Sequence, residues 1–100
     1  MDELQELIEK HHNDKRVPYD QIKQLLDNAD IEEHIFWNKE LIVSYQLENG
    51  FTIAGRGAVI DPDNFNLEIG RKVARQDAER QLWQLEGYRL QWQLYEEGLL

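Results

Sequence analysis

The residues in this chain best suited to chemistry are cations and turn formers, not a catalytic constellation. Arg71 and Arg75 stand four apart in a stretch of helical periodicity, so they project from one helical face, one turn apart. They fall early in that helix, where free backbone N–H groups and the helix dipole also favour an anion. Arg56 can join them from the preceding strand, Asn64 lies in the turn between, and Phe51 offers a flat apolar surface for a base. Together, Phe51, Arg56, Asn64, Arg71 and Arg75 suit a phosphorylated nucleotide. The same arginines also suit ion pairing on a solvated face, as Arg71–Asp77 or Arg75–Glu79, and both readings stand at this point.

Other chemistries find less support. His11 and His12 are adjacent, and neighbouring helical side chains diverge by about 100°, so the pair shares a metal site poorly. His34 is the one further histidine and there is no cysteine, whereas zinc needs three or four converging ligands. Asp61 and Asp63 flank Pro62 and precede Asn64, which reads as a turn and a helix cap better than as a cation site. No Gly-x-Ser-x-Gly, phosphate-loop or His-Glu-x-x-His pattern occurs, and Gly50, Gly55 and Gly57 do not lead into a helix as a dinucleotide fingerprint requires. The expectation is a non-enzymatic protein with no cofactor and no metal.

The elements that must position these residues follow from periodicity. Residues 2–12 put Leu4, Leu7, Ile8 and His11 on one helical face, and residues 19–28 do the same with Tyr19, Ile22, Leu25 and Leu26 after Pro18. The two form a helical hairpin over residues 1–30, each arm too short to be stable alone. Residues 31–60 read as antiparallel strands: a short one from Ile31 to Trp37, a turn at Asn38-Lys39-Glu40, and an alternating strand over 41–48. Asn49-Gly50 then forms a hairpin turn, since both tolerate positive φ, and the returning strand starts at Phe51. Gly55-Arg56-Gly57 suggests a bulge or bend, and Ala58-Val59-Ile60 extends the run.

A long helical segment spans residues 64–97, capped by Asp63, Asn64 or Asn66. Ile69, Val73, Leu82, Leu85 and Trp92 form a rough stripe, beside which Gly70, Ala74 and Ala78 recur every four residues. Small residues at that spacing let another backbone approach closely, whether a sheet or a helix of a second subunit. Gly87 interrupts this helix, ending or bending it, at a cost of about 1 kcal/mol relative to alanine. The aromatic-rich end beyond it is expected to be covered, with another subunit as the candidate cover.

Charge bounds the partners. The formal net charge is −9, and the first fifty residues hold 12 acidic against 5 basic side chains while the second fifty hold 8 against 6. That field opposes a nucleic-acid duplex and suits solubility or a basic protein partner. No apolar run reaches the roughly 18 residues of a membrane span. The start lacks a signal-peptide pattern, and the absence of cysteine makes a cytosolic setting the default.

Several segments together carry a resemblance: Asn49-Gly50-Phe51-Thr52, Gly55, Asp61-Pro62-x-Asn64-Phe65, Glu68-Ile69-Gly70-Arg71-Lys72-x-Ala74-Arg75, and Leu82-Trp83-x-Leu85-Glu86-Gly87-Tyr88. Over about residues 41–90 the chain resembles a family of small phage proteins named after gene products 49 and 66 of two tailed phages. It departs from that pattern at Arg56, where a small or acidic residue is expected. The resemblance implies a phage or prophage origin, an early accessory role in the host cytoplasm and no enzyme activity. The chain is also similar, more distantly, to small oligomeric phage proteins that sequester nucleotide signals of bacterial immunity.

The expectation is therefore an α+β fold: an N-terminal helical hairpin, a small antiparallel sheet and a long C-terminal helix packed on it, in one domain spanning residues 1–100. It is expected to form a homo-oligomer, most simply a two-fold dimer through the long helix. The expected task is counter-defence, either sequestering a cyclic or phosphorylated nucleotide, or inhibiting a host protein by docking on a basic, DNA-holding surface.

Overall fold

The computed structural model describes residues 3–11 and 13–100, with elements α1 (Glu3–His11), α2 (Tyr19–Asp27), β1 (Asp30–Phe36), β2 (Glu40–Gln46), β3 (Thr52–Ala58), a short 3-10 turn (Pro62–Asn64) and α3 (Leu67–Glu96). His12 lies outside the described residues, as does the side chain of His11. Among the described residues no helix is long and apolar enough to cross a membrane.

The sheet is an antiparallel meander in the order β1-β2-β3. Its pleat divides the side chains cleanly. Leu41, Val43 and Tyr45 of β2 are buried on one face, and the register sets Ile31, Glu33 and Ile35 of β1 and Ile53, Gly55 and Gly57 of β3 beside them. The other face carries Glu32, His34, Ile42, Ser44, Ala54 and Arg56, none of them buried. The first half of α3 packs on the buried face through Gly70, Ala74, Ala78 and Leu82, and Ile22 and Leu26 of α2 complete the core.

The glycines of β3 explain how close that packing is. A Cβ on Gly55 would lie 2.0 Å from the carbonyl oxygen of Ala74, and one on Gly57 would lie 2.7 Å from that of Gly70. The small-residue row of the helix thus meets the sheet. Gly55-Arg56-Gly57 is not a bulge: Val43 pairs with Gly55, Ile42 with Arg56 and Leu41 with Gly57 in unbroken register. The glycines remove side chains from a helix–sheet contact.

Local chemistry sets the joints. The β2–β3 hairpin closes with a three-residue loop, Glu48-Asn49-Gly50, through the Leu47 N–H donating to Phe51 C=O at 2.8 Å; Gly50 alone takes positive φ there, at 91°, while Asn49 Oδ1 accepts from the Phe51 N–H. The β1–β2 turn holds Trp37 and Asn38 at φ of 51° and 54°, a conformation uncommon for a bulky side chain. Of the three cap candidates, Asn66 caps α3, its Oδ1 accepting from the Ile69 N–H at 2.9 Å, while Asp61 caps the 3-10 turn.

Helix α3 corrects two expectations. It runs through Gly87 without interruption to Glu96, and a Cβ at Gly87 would meet nothing within 4 Å. The large apolar stripe of Ile69, Val73, Leu85 and Trp92 is exposed, and only Leu82 of that set is buried. Two causes act: in the first half the Gly70/Ala74/Ala78 row takes the sheet-facing side and leaves Ile69 and Val73 turned away from it, and a 30-residue helix of about 45 Å outruns a seven-residue strand of about 23 Å, leaving Leu85 and Trp92 beyond the sheet. Helix α1 is likewise loosely held, with Leu4 and Leu7 exposed.

Candidate functional site

Arg71 and Arg75 are brought together on one side of the helix–sheet contact. They line a pocket of about 450 Å³ with Ile31, Glu33, Val43 and Tyr45, formed where α3 passes over the sheet toward β1. The sequence separates them by one turn, and with Ala74 buried between them Arg71 reaches β1 while Arg75 reaches α2. The pocket is an open groove, with Val43 and Tyr45 as its apolar floor and Glu33, Arg71 and Arg75 as its charged lining.

Each guanidinium already holds a carboxylate. Arg71 grips Glu33 in a fork, Nη2 to Oε1 at 2.5 Å and Nε to Oε2 at 3.1 Å, tying α3 to β1. Arg75 Nη2 donates to Asp27 Oδ1 at 2.7 Å and to the Lys23 carbonyl at 3.3 Å, tying α3 to α2, and its Nε lies 3.6 Å from Glu79 Oε1. Lys23 Nζ reaches Asp27 Oδ2 at 2.6 Å. Of the two ion pairs foreseen from sequence, Arg75–Glu79 is present, while Arg71 bonds Glu33 across the fold.

These contacts set the protonation states. The hydrogen bond from Arg71 holds the Glu33 carboxyl below its usual range, and Lys23 together with Arg75 does the same for Asp27. Burial pushes the Tyr45 phenol up. The carboxylates stay ionised and the phenol neutral around pH 7, so none of these three groups is poised to pass a proton there. A phosphate entering the pocket would compete with Glu33 and Asp27 for the guanidiniums. Among the described residues no group of three or more potential metal ligands converges.

The other candidates lie elsewhere. Arg56 points to the opposite face of the sheet, because it pairs with Ile42 while Leu41 and Val43 face the helix; its guanidinium bonds Glu40. The pleat therefore corrects the expectation that Arg56 joins Arg71 and Arg75. Phe51 follows the β2–β3 loop and Asn64 closes the 3-10 turn; both are exposed, and neither lines the pocket.

A second feature emerges from comparing the two sheet edges. On β3 the Arg56 N–H donates to Asp77 Oδ2 at 3.0 Å and Gln81 Nε2 donates to the Ala54 C=O at 2.7 Å, so α3 plugs that edge. Strand β1 forms the other edge, exposed from Asp30 to Ile35, with no further strand paired to it among the described residues. It carries three acids, Asp30, Glu32 and Glu33, and its helix-side isoleucines Ile31 and Ile35 are 53% and 39% exposed. On the open face His34 stacks edge-on against Phe36, with ring centroids 4.3 Å apart.

A family model described as the phage protein (N4 Gp49/phage Sf6 gene 66) family matches residues 3–94. The chain belongs to this family. The match extends well beyond residues 41–90 and takes in both N-terminal helices, so Asp27 and Glu33 fall inside the shared stretch along with Arg71, Arg75, Asp77 and Gln81. No curated protein and no solved structure matches the chain.

In this Gp49/gene 66 family member, the residues that sequence reasoning missed are the acceptors. Glu33 is 38 positions from Arg71 and Asp27 is 48 from Arg75, and no local pattern announces such pairs. Asp77 and Gln81 gave a faint signal: they stand four apart beside the Ala74/Ala78 row, where a polar side chain can reach the backbone that the small residues admit.

Proposed function

We propose that this phage accessory protein acts by binding, in the host cytoplasm, docking its acidic β1 side on a basic host protein. The observation that carries the reading is the exposed β1 edge, with Asp30 and Glu32 on one face of it in a chain of net charge −9. Such a field steers a cationic partner and rejects anionic ones. A surface that normally holds DNA is a suitable target because its charge is complementary. The test is capture from host extract by the immobilised full chain. Capture should be eluted by salt, lost in the Asp30→Lys/Glu32→Lys variant and kept in Glu68→Lys on α3. Equal capture by all three would remove the reading.

Nucleotide sequestration is the second reading, favoured by the convergence of Arg71 and Arg75 on one pocket. It ranks second because both guanidiniums hold carboxylates in the free protein. Calorimetry with a panel of cyclic dinucleotides decides it: micromolar or tighter binding lost in Arg71→Gln supports it, and silence across the panel removes it.

We also infer a homodimer through the outer half of α3. Leu85, Tyr88, Trp92 and Tyr95 are exposed at spacings of three, four and three, the seam of a two-helix contact. Tyr88 packs edge-on to Trp92 and Trp92 to Tyr95, at 6.3 and 5.8 Å, which makes the stripe a stiff aromatic ridge. Sedimentation should give twice the monomer mass for the native chain and a monomer for Trp92→Glu; a native monomer at high micromolar concentration contradicts it.

A further inference from the structure

The docking surface has a more specific form. We propose that β1 accepts a basic, extended segment of the partner as a fourth strand, an inference that rests on the protein-docking reading above and specifies its mode. The two edges of the sheet are treated differently by the fold. Asp77 and Gln81 of α3 occupy the backbone groups of β3 at Arg56 and Ala54, whereas among the described residues nothing hydrogen-bonds the outer backbone of the edge strand β1. An unpaired strand edge is a template for an added strand, and proteins ordinarily blunt it. Here one edge is blunted and the other is left open.

The side chains of β1 specify the occupant. Alternation sets Asp30, Glu32 and His34 on the open face and Ile31, Glu33 and Ile35 on the helix side. A strand laid beside them is matched by Lys or Arg at positions facing Asp30 and Glu32. Its intervening positions face Ile31 and Ile35 and are matched by apolar, β-branched residues, which would cover isoleucines now half exposed. Beside Ile31 the pocket of about 450 Å³ gives room for one larger side chain.

A second copy of β1 is the wrong occupant. An antiparallel self-pair centred on Ile31 sets Asp30 against Glu32 twice, and one centred on Glu32 or Glu33 sets that acid against itself; like charges directly opposite destabilise a pair. The acids therefore both discourage self-association at this edge and select a cation-rich segment.

The test uses the full chain, labelled with nitrogen-15, and a capped peptide of sequence Lys-Val-Lys-Val-Lys-Val-Lys. Controls are the same peptide with glutamate for lysine and one with its central valine replaced by proline, which cannot complete the ladder. Binding should protect alternate amides of β1 from hydrogen exchange, fail with both control peptides, weaken at least tenfold in Asp30→Lys/Glu32→Lys, and fade as salt rises. Absence of binding at millimolar peptide overturns the proposal, as does binding that leaves the β1 amides unprotected or that tolerates proline. Dimerisation of the chain through β1 in place of peptide binding overturns it too. Failure here with salt-sensitive, β1-dependent capture from host extract intact would remove strand addition alone and leave the docking reading standing.

Discussion

Gly55 faces Ala74 so closely that a Cβ on the glycine would sit 2.0 Å from the alanine carbonyl oxygen. The clash is with backbone, so the helix cannot yield by turning a side chain. Gly55→Ala should force α3 away from β3 and destabilise the protein by at least about 1–3 kcal/mol, the usual range for overpacking. Gly57→Ala, facing Gly70 carbonyl oxygen at 2.7 Å, should behave in the same direction. Urea unfolding of the variants checks both.

Gly87 should answer with the opposite sign. It lies inside a continuous helix with open space where a Cβ would go. Gly87→Ala should therefore raise stability by about 0.5–1 kcal/mol, from helix propensity alone. A loss of stability would mean that the backbone there is not helical in solution.

The plug on β3 makes a third prediction. Asp77→Ala leaves the Arg56 N–H without its acceptor and Gln81→Ala leaves the Ala54 carbonyl without its donor. Each should lose about 0.5–1.5 kcal/mol, the net value of one hydrogen bond where water can replace the partner. The double variant opens a second sheet edge, and light scattering should show it aggregating on warming where the parent chain stays soluble.

Acid should loosen the ties between layers. Glu33 and Asp27 titrate lower in the folded chain than ordinary carboxylates, owing to Arg71 and to Lys23 with Arg75. Their contribution is thus fully present above the unfolded values of about 4 and is lost as pH falls through the folded ones. Thermal midpoints measured from pH 6 down to pH 2 should fall, and the fall should be shallower in Arg71→Gln, which lacks the partner that depresses Glu33. Both carboxylates are largely solvated, so the difference should be small and should shrink in high salt.

What the sequence disclosed and what it withheld divide along the range of the interactions. The alternation of Leu41, Val43 and Tyr45 announced the central strand and its buried face, because burial on one side of a pleat leaves a period of two. Gly70, Ala74 and Ala78 announced a close backbone approach, and Asn66 was among three caps that local chemistry allowed. The site was less legible. That Arg71 and Arg75 share a face is a local fact of helix geometry, but their partners Glu33 and Asp27 come from other elements. The exile of Arg56 to the far face depended on register, which one residue of slip would have reversed. Gly87 misled because its propensity is a weak cost that the surrounding helix overrides.

The contrast between the two sheet edges can be read in the free protein by residue-resolved amide hydrogen exchange. The Arg56 amide, held by Asp77, should exchange slowly, while every second amide of Asp30–Phe36 should exchange at the rate of open strand edge. Adding a captured basic partner should slow those β1 amides and leave Arg56 unchanged. If the outward β1 amides are already as slow as Arg56 in the free chain, or stay fast in the complex, β1 is not where this protein meets its partner.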